Sequence, residues 1–347
     1  MIKIQGIVLL KDIERNVVYS NMPYSYRICK ESENVKIANH KVIEGKGFKE
    51  VVLNVLIGDV EVFHNLIIPN EGCFFDERIK IVNKLDKVLN GRNIGMGFVL
   101  KDGYSFRFTP ISFRRDAITG EIVEYTFDDF FTKKGYNKII RGERRKINWR
   151  EETKAFGADG WVINNGRCGL VVAKYSQEYM EFSLIEPLAK GVICFGGCGV
   201  WKDSDPEKVL EIKPGEAFTF GQTRYIFYDG GWKEGFYFFR DFMRSKGHRI
   251  PQNYDPPIHW NELYDNPLWW IGDSAENRRK YYTREHMIEE AEKARELGCE
   301  ALYLDPGWDT NMGSSIWDEE RLGPQKEFSK FLVRKVWFET GITYSSC

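Results

Sequence analysis

The sequence has no excess of charge of either sign. Its 347 residues carry 50 Lys+Arg against 51 Asp+Glu, a formal net charge of −1. Nucleic acid and anionic membrane surfaces call for clustered positive charge, so neither is expected as a partner. Long apolar runs are missing too, and none approaches the roughly eighteen apolar residues of a spanning helix. The apolar start, residues 1–8, is too short for a signal peptide, and the charged Lys11 and Asp12 follow at once. Histidine is scarce, with five residues, and neither His nor Cys recurs at metal-ligand spacing, so no metal and no other cofactor is expected. The seven cysteines are scattered, and Cys194 and Cys198 form the only close pair. They are expected to be reduced, mostly buried thiols of a cytoplasmic protein.

Aromatic residues are plentiful at 15%, including ten Trp. Most serve a core, but an indole face also packs well against the apolar face of a pyranose. At this length two domains are expected. Residues 1–229 read as strands broken by turn dipeptides, which points to a large antiparallel sandwich. Gly58-Asp59 separates 51–57 from 60–68, and Asp102-Gly103 separates 97–100 from 104–108. Thr119-Gly120 and Asp159-Gly160 precede 121–127 and 161–163. Asn165-Gly166 introduces 169–175, and Pro214-Gly215 joins 209–212 to 217–227.

Residues 230–255 form a link. Gly230-Gly231 ends the strands, a helix carries Phe236, Phe239, Phe242 and Met243, and a Pro-rich stretch follows Gly247. Residues 256–347 then alternate strand and helix. A strand at 258–262 leads through a polar loop with Trp269 and Trp270 to a helix that Thr283 caps. Met287, Ile288, Ala291, Ala294 and Leu297 fall on one face of that helix, and Gly298 suits its end. A second strand at 300–304 follows. Pro324 opens a further helix with Phe328, Phe331, Leu332 and Val336 buried, and 341–344 could begin a third strand.

In a parallel barrel, chemistry sits at the C-terminal ends of strands. Those ends offer Trp260, Asn261 and Glu262, then Asp305, Trp308 and Asp309. A carboxylate beside an indole suits a sugar, because the Asp accepts from hydroxyls while the ring packs on C–H groups. An Asp before Pro-Gly is also an ordinary turn residue. Glu186, Asp203 and Asp205 are expected in solvent, the basic run 141–150 on a surface loop, and the Gly-rich 196–199 in a tight turn.

The segment 230–332 resembles the α-galactosidases of glycoside hydrolase family 36 and their clan relatives. The resemblance rests on pieces in order: the helix and Pro-rich lead-in at 232–257, Trp260-Asn261-Glu262, the helix ending at Gly298, Leu304-Asp305-Pro306-Gly307-Trp308, and the run from Leu322 to Phe328. It implies a β-supersandwich, a linking helix and the first βα units of an incomplete TIM (β/α)8 barrel. It further implies a retaining glycosidase mechanism on an oligosaccharide or α-galactoside, with homo-oligomers possible. The family's second strand usually ends Asp-Asp-Gly-Trp; here Pro306 replaces the second Asp, with Asp309 following three residues on, so the resemblance does not carry galactose specificity over.

In that family the nucleophile and the acid/base lie at the ends of the fourth and sixth strands. Residues 256–347 hold only two units and the start of a third, since a full barrel takes about 250 residues. No catalytic residue is therefore assigned, and the expected substrate contacts are Asp305, Trp308, Trp260, Asn261 and Asp309. The alternatives are a non-catalytic carbohydrate-binding or interaction module, and a clan enzyme with another sugar preference.

Overall fold

Alternating side chains make two sheets that stack face to face. The computed structural model describes residues 2–5, 7–28, 35–91, 94–111, 124–131, 156–178, 180–201, 210–271, 274–305, 307–311, 314 and 316–335. The chain divides into two compact units, Met1–Arg249 and Ile250–Cys347.

In the first unit the larger, antiparallel sheet runs in the order Tyr125–Thr126, Arg107–Ile111, Gly160–Asn164, Cys168–Tyr175, Gln222–Asp229, Phe74–Asn83, Val60–Pro69, Phe48–Ile57, Val35–Gly45. Ala217–Thr219 adds to Phe74–Asn83. The smaller sheet runs Phe156–Ala158, Met180–Ala189, Val192–Trp201, Ile94–Lys101, Met22–Ile28. Strand residues alternate between faces, so Val60, Val62, His64 and Leu66 point inward while their neighbours are half-buried. One cluster joins Met96, Phe98 and Phe195 of the small sheet to Val62, Phe75, Leu170 and Tyr225 of the large one.

The helix Trp232–Ser245 lies on the outer face of the large sheet. Glu234 starts it by accepting the Gly231 amide at 2.8 Å. Phe236, Phe239, Phe242 and Met243 then pack with Val162, Val171 and Ile226. A Cβ on Gly235 would come within 2.8 Å of Val162 and the Tyr228 hydroxyl, so only glycine permits this close crossing.

Several expectations need correction. The turn at Gly58-Asp59 makes the expected hairpin, with Ile57 opposite Val60. Asp102-Gly103 and Asp159-Gly160 do not, because the strands before and after each belong to different sheets. Pro214-Gly215 likewise parts Glu211–Ile212, which pairs with Leu89–Asn90, from Ala217–Thr219. Gly196 and Gly197 are no tight turn: they form a bulge inside Val192–Trp201, where the register to Met180–Ala189 slips. Glu186 is buried, 1% exposed, and ion-paired with Arg27. Leu297 is 66% exposed, because the last helical turn has passed the covering elements. Cys168 and Cys194 are buried, but Cys73 is exposed. Thr119-Gly120, the run 141–150, Asp203, Asp205, Pro306, Val336 and the strand expected at 341–344 lie outside the described residues.

The second unit holds the strands His259–Asn261 and Ala301–Tyr303, paired in parallel with Trp260 opposite Leu302. The helices Ala275–Tyr281 and Arg284–Glu296 form the crossover. Ser274 caps the first by accepting the Asn277 amide at 3.0 Å, and Thr283 caps the second. The helix Gln325–Lys335 begins after Pro324 and buries Phe328 and Leu332.

Candidate functional site

The strand His259–Asn261 ends in a 3-10 turn, Glu262–Tyr264, and the Asn261 side chain is its cap. Its Oδ1 accepts the Leu263 amide at 2.9 Å, which aims Nδ2 the other way. Nδ2 donates to Asp305 Oδ2 at 2.8 Å, so the two strand ends meet through a side-chain pair. Two further contacts hold Asp305. Its amide donates to Glu262 Oε1 at 3.0 Å, and its carbonyl accepts the Tyr282 hydroxyl at 3.1 Å. Its Oδ1 has no hydrogen-bond partner among the described residues, which leaves one acceptor on a half-buried carboxylate for a ligand hydroxyl.

Glu262 is fully buried, and its Oε2 has no hydrogen-bond partner among the described residues. Burial pushes its carboxyl up to about 8, against the smaller downward pull of the Asp305 amide and Tyr282. It is therefore a neutral acid at neutral pH and does not repel Asp305. Tyr282 is also fully buried, and burial beside Glu262 raises its hydroxyl well above the usual phenol range.

An acid whose pKa rises on folding keeps its proton after the unfolded chain has lost it. This contribution is whole below the ordinary value of 4.5 and is lost as pH rises to about 8. The second unit is therefore expected to lose stability across that window. Glu262→Gln, neutral at every pH, flattens the slope when chemical unfolding is followed at several pH values. A variant with an unchanged slope would refute the assignment.

The loop after Asp305 is fastened from within. Trp269 is buried edge-on against Tyr282, with ring centres 5.0 Å apart. A Cβ on Gly307 would meet Trp269 at 2.7 Å and Tyr282 at 2.8 Å, so glycine is required there. Arg321 donates to the carbonyls of Tyr282 at 2.9 Å, Gly307 at 2.8 Å and Asp309 at 3.1 Å, and pairs with Asp318 at 3.1 Å.

The expected contacts thus part company. Asn261 and Asp305 come together. Trp308 is half-buried, stacked on Trp317 at 6.1 Å. Trp260 turns its indole away, donating to Glu290 Oε2 at 2.8 Å in the unit's core; as the residue before Asn261 it must face the opposite side of the strand. Asp309 is 2% exposed and accepts the Ser314 amide at 2.9 Å, so it braces the loop. Glu262 and Gly307 were named in the strand-end motifs but not among the expected substrate contacts, and Tyr282 and Arg321 were not named at all. Glu262 stood in plain view beside Asn261, whereas Tyr282 and Arg321 carry no local signal. No group of three or more His, Cys, Asp or Glu among the described residues could hold a metal.

Neither a protein-family model nor a curated protein matches the chain. Solved structures do. A GH36 α-galactosidase of Geobacillus stearothermophilus in complex with 1-deoxygalactonojirimycin matches 95% of this chain with a TM-score of 0.55 at 14% identity. An α-galactosidase of Lactobacillus brevis also matches 95%, with a TM-score of 0.52 at 11% identity. The fold is that of the N-terminal portion of GH36 α-galactosidases. This chain spans less than half of those relatives, 46% and 45% of their lengths. Geobacillus structures of the GH36 fold in complex with stachyose and with raffinose match at TM-scores of 0.54 and 0.55, both at 14% identity. At such identities the GH36 likeness concerns fold alone, and function must rest on the side chains.

Proposed function

We propose that the chain binds α-galactoside-type oligosaccharides at the Asn261–Asp305 pair, as the front part of a glycoside hydrolase. The supporting observation is the 2.8 Å hydrogen bond that fixes Asp305 at the C-terminal ends of two parallel strands, while its other carboxylate oxygen has no partner among the described residues. Such an oxygen accepts a sugar hydroxyl, and the amide beside it can donate to the same ring. This 347-residue chain binds without cleaving. Retaining hydrolysis needs two reactive carboxyl groups about 5–5.5 Å apart across the bond. Among the described residues at the site, Glu262 and Asp309 are buried, which leaves Asp305 alone. We place the protein in the cytoplasm, which the free thiols of Cys73, Cys168 and Cys194 support.

The test is thermal unfolding with 1-deoxygalactonojirimycin, together with turnover of an aryl α-galactoside. Ligand at 100 times its Kd stabilises by about 2.7 kcal/mol, so the melting temperature rises in the intact chain and stays flat in Asp305→Ala. Turnover is absent from both. An intact chain that ignores the ligand, or one whose turnover disappears with Asp305→Ala, refutes the reading.

A further inference from the structure

The stretch 262–271 that follows the first strand is fastened on its inside and apolar on its outside. Asn266 Nδ2 donates to the Tyr281 carbonyl at 2.8 Å, and Asn277 Nδ2 donates to the Ile271 carbonyl at 2.6 Å. Asp265 pairs with Lys293 at 2.6 Å, while Trp269 is buried on Tyr282. With these anchors made, Tyr264 stays 85% exposed and Trp270 50% exposed, and Leu268 and Ile271 are about as open as Trp270. Side chains of this size are normally driven inward, and a loop held this firmly keeps them out. Of the carboxylates in 262–271, Glu262 is buried and Asp265 is paired with Lys293 of the helix Arg284–Glu296, so the outer surface of this stretch offers ring faces and no unpaired charge. That surface suits a neutral ligand with C–H faces and hydroxyls, for which phenol and indole provide both packing and a polar edge.

The loop is also continuous with the site. It starts at Glu262, beside Asn261, and its buried Trp269 rests on the same Tyr282 that holds the Asp305 carbonyl. We propose that Tyr264 and Trp270 form an outer subsite, a ring platform for the sugar units of an oligosaccharide beyond the one held by Asp305. The assignment rests on the sugar-binding reading above and extends it to chain length: a monosaccharide uses Asp305, and only a longer oligosaccharide reaches the platform.

Calorimetric titration of the full chain with galactose and with the tetrasaccharide stachyose tests this. Stachyose binds at least about tenfold more tightly than galactose, a gap of about 1.4 kcal/mol. Trp270→Ala and Tyr264→Ala remove that advantage and leave galactose binding and the melting temperature unchanged, since both rings are exposed. Asp305→Ala weakens both sugars. Equal affinities for the two sugars, or ring variants that bind stachyose as the intact chain does, overturn the platform. So does a drop in oligomeric state on ring removal, which would make the patch a contact between copies. If Asp305→Ala leaves galactose binding intact while Trp270→Ala weakens stachyose, the Asp305 reading fails and the platform stands. No binding of either sugar by the intact chain overturns both.

Discussion

Glu77→Leu is expected to lower the unfolding free energy of the sandwich by about 3–5 kcal/mol, read from the midpoint of a urea titration. Glu77 lies in the middle of the first unit, 1% exposed, and is encircled by donors. Its Oε1 accepts the Tyr24 hydroxyl at 2.7 Å and faces His64 Nε2 at 2.8 Å, while Oε2 accepts the Tyr225 hydroxyl at 3.0 Å. Tyr26 closes the far side of His64 at 2.7 Å from Nδ1. Leucine supplies bulk but takes away the acceptor that the Tyr24 and Tyr225 hydroxyls and the His64 ring share in a dry interior. Removing one member of such a set costs more than the net worth of the set, because the partners keep their desolvation penalty.

The double variant His64→Leu/Glu77→Leu should therefore lose less than the two single losses added together. Burial pushes the Glu77 carboxyl up, but the hydrogen bond and electrostatic pull of His64, with the two tyrosines, outweigh it and hold the pKa below the usual 4.5. A depressed acid adds stability above its ordinary pKa that is lost as pH falls through the folded value. The intact sandwich should thus weaken in acid more steeply than Glu77→Leu. A variant that unfolds at the midpoint of the intact chain would show the network to be dispensable.

Gly197→Ala is the second large effect, a loss of more than about 3 kcal/mol or failure to accumulate folded protein. Gly197 has φ +65°, in the left-handed region, at the bulge of Val192–Trp201. An added Cβ would overlap the Met96 carbonyl oxygen, a backbone atom that cannot swing aside. The Gly197 amide also donates to the Tyr225 hydroxyl at 3.1 Å, so displacement of the bulge pulls on the network around Glu77. Gly215→Ala is the control. Its φ is +79° but nothing lies within 4 Å of an added Cβ, so the conformational cost of about 1–2 kcal/mol stands alone. Equal midpoints for the two variants would refute the steric argument.

Local patterning determined where this chain bends and where its period changes. Turn dipeptides marked the strand breaks, Thr283 and Gly298 bounded a helix, and the shift to βα alternation announced a parallel pair. Each is a property of a few consecutive residues, set by φ preferences, caps and side-chain periodicity. The same residues placed Asn261 and Asp305 at strand ends, and their order carried the GH36 resemblance. What local patterning could not hold is which strand lies beside which.

Asp102-Gly103 and Gly58-Asp59 are chemically similar breaks, yet one crosses between sheets and the other closes a hairpin. The choice depends on pairing energy summed over partners far along the chain. Burial of charge is the same kind of fact. Glu77, Glu186 and Glu262 read as polar residues in sequence, and only the packed fold supplies the donors that let the first two be buried or the enclosure that keeps the third protonated. The division between Trp269 and Trp270, adjacent in sequence, was also settled in three dimensions: one ring completes the core on Tyr282 and the other is left facing water.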